Sequence, residues 1–104
     1  MPVVVVATLP VKPGSADAVR EACTRAIAAG HQEPGCDLYT LHEGENVFVF
    51  VEQWADADAL KTHSTAPGVT GLFAEIGEHL DGAPDIKMLQ AVPAGDPAKG
   101  NLRH

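Results

Sequence analysis

The chain has 104 residues, 45% of them hydrophobic and 20% charged, which is the size and composition of one folded domain rather than a disordered segment. Seven Lys and Arg against fourteen Asp and Glu leave a net charge of −7, and the scattered cations exclude the clustered basic face that nucleic acid or an anionic membrane requires. No apolar run approaches the roughly 18 residues of a membrane span, and MPVVVVATLP at the N-terminus lacks the basic lead of a secretory signal, so the expected location is the cytoplasm.

Val3–Leu9 is a β-branched run, the pattern of a strand buried on both faces. Lys12-Pro13-Gly14 is a turn. Ser15 stands where a helix N-cap belongs, with Asp17 placed to suit the helix dipole. Val19, Ala22, Cys23, Ala26 and Ile27 then recur at helical spacing, one apolar stripe that Gly30 ends. Glu33-Pro34-Gly35 is a second turn. Cys36–Glu43 and Val47–Trp54 are the two strands of a hairpin connected through Gly44-Glu45-Asn46. Asp56–Ser64 is a short helix capped by Asp56, and Ala66-Pro67-Gly68 interrupts the helical pattern. Val69, Leu72, Phe73, Ile76 and Leu80 form another helical stripe, closed by Gly82 and Pro84. Asp85–Val92 is the last strand, which ends a single domain over residues 1–92; residues 93–104 are a Pro/Gly/Ala-rich extended tail. Cys23 and Cys36 lack the CxxC spacing of metal or redox work and are expected to be structural.

The order β-α-β-β-α-β predicts an α+β fold, a ferredoxin-like antiparallel sheet with its helices on one face. The free face of such a sheet should be polar, yet VVVV and VFVFV are apolar on both sides. A patch of that kind calls for a cover, and a second copy packed sheet against sheet as a two-fold homodimer is the economical one. The tail would then lie along the partner subunit.

The chemistry concentrates in Phe48–His63. Side chains alternate along a strand, so Phe48, Phe50, Glu52 and Trp54 share one face and Val47, Val49, Val51 and Gln53 the other. Either Glu52 and Trp54 are satisfied core residues or they form a wall of a small aromatic-substrate pocket. His63 follows Leu60 by three residues on the same helical face, which points it at the sheet, and imidazole is the side chain best matched to proton transfer near neutral pH. Tyr39, the only tyrosine, lies on the neighbouring strand; it packs the core or lines the pocket. Phe73 belongs to the core stripe first and to a pocket second. His42 faces the other way, His79 sits where it would complement a helix dipole, and His31 and His104 carry no signal. None of the five histidines falls into a metal-ligand spacing.

Glu33-Pro34-Gly35-Cys36, Tyr39, Phe48-Val49-Phe50-Val51-Glu52-Gln53-Trp54, Leu60 and His63 together resemble the antibiotic biosynthesis monooxygenase (ABM) domain family, over Val3 to about Leu89. The resemblance implies a dimeric α+β barrel. The family includes cofactor-independent monooxygenases of quinols and anthrones, haem-degrading oxygenases and an isomerase of a phosphorylated signalling molecule, so the fold alone does not choose the reaction. The haem-degrading members use a first-strand asparagine and a histidine on the last long helix. Ala7 and about Ala74 occupy those positions here, so that branch is not the expected one.

The expected function is a monooxygenase that oxidises a quinol, anthrone or similar small phenolic substrate with O2 and needs neither metal nor organic cofactor. His63 is the expected base, Glu52 orients it or balances its charge, Trp54 joins Phe50 and Phe73 in holding the flat substrate, and Tyr39 binds a substrate oxygen. An isomerase using the same His63 and Glu52 and a non-catalytic dimeric ligand-binding protein are the alternatives. All of this requires His63 and Trp54 to line one cavity.

Overall fold

Valine-rich Val3–Pro10 (β1) lies at the centre of the sheet because both of its edges are paired. The computed structural model describes residues 1–103 and orders four antiparallel strands as β2-β3-β1-β4. Cys36–Gly44 (β2) and Val47–Trp54 (β3) form the hairpin, and Asp85–Leu89 (β4) flanks β1 on its other side. Asn46 takes the left-handed conformation at the hairpin turn, with φ 54°, which asparagine tolerates better than most residues. Ala16–Gly30 (α1), Ala57–Ser64 (α2) and Pro67–Ile76 (α3) are the helices, and α3 runs into a short 3₁₀ turn, Gly77–His79. The α+β ferredoxin-like architecture is as the sequence predicts.

Register decides which side chains meet. Val5, Ala7 and Leu9 of β1 pair with Glu52, Phe50 and Phe48 of β3, and all six are buried on the face that carries the core. The α1 stripe closes over them through Val19, Ala22, Cys23 and Ala26, with Leu72 and Ile76 from α3. Burial of the Cys23 thiol, with the charge of Glu75 adding to it, pushes its pKa up to about 11, so this cysteine is an inert core residue.

The opposite face of the sheet is only partly covered. In the single chain β1 is not buried on both sides: Val6 and Thr8 stay half-exposed opposite Val51 and Val49. Only at one end of that face are Val4 and Gln53 covered. The inner face is also incomplete along β4, where Ile86 is 52% and Met88 70% exposed.

Four local boundaries differ from the predicted ones. The helical pattern breaks before Pro67 as expected, but Pro67 itself is the first residue of α3, because a ring-locked φ and a missing N–H cost nothing at the first helical position. The helical stripe stops at Ile76, and Leu80 makes an isolated bridge with Val11. Ser15 occupies the N-cap position of α1 and its carbonyl accepts from the Val19 N–H at 3.1 Å, but its side chain makes no cap bond; the hydroxyl meets His79 Nδ1 at 2.9 Å instead. His79 also stands in the last turn of the 3₁₀ segment, the expected place for a basic side chain at a helix end. The last strand ends at Leu89, not Val92; its pairing with β1 stops at Val4. From there the tail turns back, and Arg103 shares a surface cleft with Leu38 and Thr40 of β2. His104 lies outside the described residues. Among those residues no helix is long and apolar enough to cross a membrane.

Candidate active site

The site begins with the period of β3. Alternation places Phe50, Glu52 and Trp54 on the helix-covered face, and all three are buried. The strand then breaks at Asp56, whose carboxylate accepts a hydrogen bond from the backbone N–H of Ala59 at 2.8 Å and starts α2. Three residues separate Leu60 from His63, so one face of α2 delivers both to the sheet, and His63 is buried.

Gly35 holds α2 in place. Its φ of 82° is left-handed, and a Cβ there would lie 2.6 Å from the Ala59 Cβ; only a residue without a side chain permits that approach. The Gly35 carbonyl also accepts from the N–H of Ala55 at 2.8 Å. The turn that α2 rests upon therefore brings Glu33 to His63. Both Glu33 carboxylate oxygens lie 3.1 Å from His63 Nδ1.

On its other side His63 Nε2 is 3.5 Å from Glu52 Oε1. That oxygen accepts a 2.9 Å hydrogen bond from Trp54 Nε1. The imidazole is thus set between two carboxyl groups, with the Trp54 indole stacked against it and the edge of Tyr39 in a T-shaped contact at 5.1 Å. Burial raises the Glu52 carboxyl above the ordinary carboxylate range; the Trp54 hydrogen bond and the charge of His63 oppose the shift, and Glu33 adds to it. Burial likewise raises the Tyr39 phenol, with Glu52 reinforcing the shift, so Tyr39 remains a protonated donor. Burial raises the Cys36 thiol in the same way, with Glu33, Asp37 and Glu52 adding to it.

A cavity of about 430 Å³ opens beside this cluster, within the ~300–1,000 Å³ range of small-molecule sites. Val5, Ala7 and Phe50 line it from the sheet, and Leu60, Val69 and Phe73 from α2 and α3. Tyr39, Glu52, His63, Ser64 and Thr70 are its polar residues, and no Lys or Arg lines it. Five of the six predicted site residues, Tyr39, Phe50, Glu52, His63 and Phe73, therefore meet at one cavity.

Trp54 does not, and this corrects the expected wall. It is 0% exposed and absent from the lining. Its strand face is the predicted one, but α2 places His63 between the indole and the cavity. Trp54 offers a substrate no surface, so the condition that His63 and Trp54 line one cavity is not met and the site as the sequence predicts it fails; what the structure presents is a different site, His63 and Glu52 at the cavity with the indole behind them. Trp54 is instead a backing plate and hydrogen-bond donor for the two residues that do line it. Glu33 is a site residue that the sequence marks only as part of a turn. Its sole signal is its place in Glu33-Pro34-Gly35-Cys36, since the partner that gives it meaning is thirty residues away. His42 bonds Thr40 at the exposed face of β2, and His31 bonds the Tyr39 carbonyl. Among the described residues no group of three or more His, Cys, Asp or Glu is disposed to hold a metal ion.

A buried imidazole beside a carboxyl of raised pKa, at one side of an otherwise apolar cavity, is equipped to take a proton from a neutral ligand. Comparison with known proteins bears on the family. The family model described as antibiotic biosynthesis monooxygenase matches residues 2–74. A solved structure described as an antibiotic biosynthesis monooxygenase is 30% identical, with 88% of this chain and 99% of that one covered and a TM-score of 0.82. A Caulobacter crescentus protein provisionally given the same name is 34% identical over 88% of this chain and 91% of its own, with a TM-score of 0.82. A Mycobacterium tuberculosis protein is 26% identical over 92% of this chain and 100% of its own, with a TM-score of 0.84. No curated protein matches.

Proposed function

The chain belongs to the antibiotic biosynthesis monooxygenase family, and from that premise we propose that it oxidises a quinol, anthrone or similar small phenolic with O2, without metal or organic cofactor. The observation that carries this reading is the placement of His63 and Glu52 together at the edge of an apolar cavity. His63 removes a proton from the bound substrate and leaves an electron-rich phenolate or carbanion, with Glu52 orienting the ring and balancing its charge. Tyr39 donates a hydrogen bond to a substrate oxygen. Phe50 and Phe73 hold the flat ring system without help from Trp54.

The anion passes one electron to O2, giving a substrate radical and superoxide. Their recombination forms a carbon–oxygen bond, and the proton held on His63 completes a substrate hydroperoxide. Loss of water then leaves a carbonyl, so one oxygen atom enters the quinone and the other leaves as water. The protein contributes most at deprotonation, and a water-poor cavity limits side reactions of the intermediates.

The reading extends to the assembly. The half-exposed valines of the outer sheet face support a homodimer packed through that face. In it residues 1–92 are the domain, and the tail, which returns to the edge strand β2, also lies along the partner. The cytoplasm remains the proposed location.

Oxygen uptake with a dihydroxynaphthalene or an anthrone, in metal-chelating buffer, tests the reaction. Uptake that is lost in His63→Ala is the expected result. Turnover without oxygen would instead make the chain an isomerase, and tight binding without turnover a ligand-binding protein. A phosphorylated isomerase substrate is disfavoured by a lining that holds Glu52 and no cation.

A further inference from the structure

We propose that Glu33 is a positioning residue that decides which nitrogen of His63 carries the proton. Its role as a positioning residue for catalysis rests on the reading of His63 as the base; its control of the imidazole tautomer does not.

The argument is one of donors and acceptors. A carboxylate has no proton to give, so a nitrogen facing it must carry one. His63 Nδ1 faces both oxygens of Glu33 at 3.1 Å. Nε2 faces a single oxygen of Glu52 at 3.5 Å, and that oxygen is already engaged by Trp54 Nε1. The shorter, doubled contact wins the proton. The neutral ring is therefore protonated on Nδ1 and bare on Nε2. The opposite tautomer would set a lone pair against two carboxylate oxygens.

Glu33 is suited to the task because it is held from outside the reaction space. Its side chain is 17% exposed, and it does not line the cavity, whereas His63 and Glu52 both do. Its backbone N–H donates to the Gly30 carbonyl at 3.0 Å, which ties the turn to the end of α1. Gly35 fixes the same turn against α2. The carboxylate and the imidazole are thus oriented before a substrate arrives, and the bare nitrogen is left on the side of Glu52, which itself lines the cavity. A carboxylate that sets the tautomer of a working histidine is a general device of histidine chemistry. Here it comes from a turn whose sequence separation from His63 hides it.

Nitrogen-15 spectra of the full, ligand-free chain labelled at histidine test the tautomer directly. The expected His63 signature is a protonated Nδ1 and a bare Nε2. In Glu33→Ala the population should move toward the Nε2–H form. In Glu33→Gln, whose amide oxygen still accepts, the Nδ1–H form should be retained. With a phenolic substrate that turns over, Glu33→Ala should lower kcat by about 10–100-fold with KM little changed, and Glu33→Gln should recover part of the loss. A dominant Nε2–H tautomer in the unmodified chain, or an unchanged tautomer in Glu33→Ala that retains the native fold, overturns the proposal. If no phenol is oxidised, the oxygenase reading falls while the tautomer spectra still decide the control exerted by Glu33.

Discussion

The indole of Trp54 and the imidazole of His63 lie stacked, with centroids 4.1 Å apart and planes inclined by 28°. The same indole donates its N–H to Glu52. One fully buried ring therefore sets the positions of both groups that face the cavity, without touching the cavity itself. Trp54→Phe keeps a ring behind His63 but leaves Glu52 without its donor. It should cost about 1–3 kcal/mol of stability, the usual penalty for an orphaned buried acceptor, and leave the affinity for a naphthol nearly unchanged. Urea unfolding and a ligand titration on the same sample check both halves. A large loss of affinity with stability intact would restore Trp54 as a wall.

Glu52 gives a pH dependence of defined sign. Burial, its largest cause, raises the folded-state pKa above the ordinary value of 4.5. The folded chain therefore holds this proton more tightly than the unfolded chain. The resulting stabilisation is complete below pH 4.5 and is lost as pH rises through the folded-state value. Glu52→Gln cannot ionise, and its amide can still accept from Trp54. The variant should match the parent near pH 4 and become progressively more stable than it toward pH 8. Denaturant midpoints across that range measure the difference, and a constant difference would refute the burial argument.

Gly30 should resist replacement. A Cβ at this last residue of α1 would lie 2.5 Å from both Cδ2 and Cε2 of Tyr39. Tyr39 is buried and packs on Phe50, Trp54 and His63, so its ring has no free direction to move. Alanine normally gains about 1 kcal/mol over glycine within a helix. Here overpacking of about 1–3 kcal/mol should exceed that gain, and Gly30→Ala should unfold at lower urea than the parent.

The cavity should select by charge. Its lining holds Glu52 and no Lys or Arg, so an anion buried there meets a carboxyl group and has no cation but a protonated His63 to offset its desolvation. At pH 7 naphthol should bind at least tenfold more tightly than naphthoate, a difference of about 1.4 kcal/mol. Ala7 lies on the sheet side, paired with Phe50 and Ile86. Ala7→Phe should fill the space and abolish binding of both. Fluorescence titration distinguishes these outcomes, and equal affinity for the two ligands would contradict the charge argument.

The outer sheet face should hold the dimer. Val51 sits between Val6 and Thr40 on that face, half-exposed in the single chain. Val51→Lys places a charge in the centre of the proposed contact without touching the core. Sedimentation should show a dimer for the parent and a monomer for the variant. A monomeric parent would remove the dimer altogether.

Much of this molecule is decided over short stretches of chain. The two-residue period of a strand determined that Phe50, Glu52 and Trp54 share a face, and three helical residues determined that His63 follows Leu60 to the sheet. Those rules depend only on backbone geometry, so residue order alone carries them. The same local logic was ambiguous at Pro67, which ends one helical pattern as readily as it begins another. What lies in front of what, and who partners whom, needed the tertiary structure. Trp54 is behind His63 because α2 folds across the end of β3, and Glu33 reaches His63 because Gly35 lets α2 settle on its turn. Both are contacts between separate elements, determined by register and close approach, and no periodicity along the chain records them.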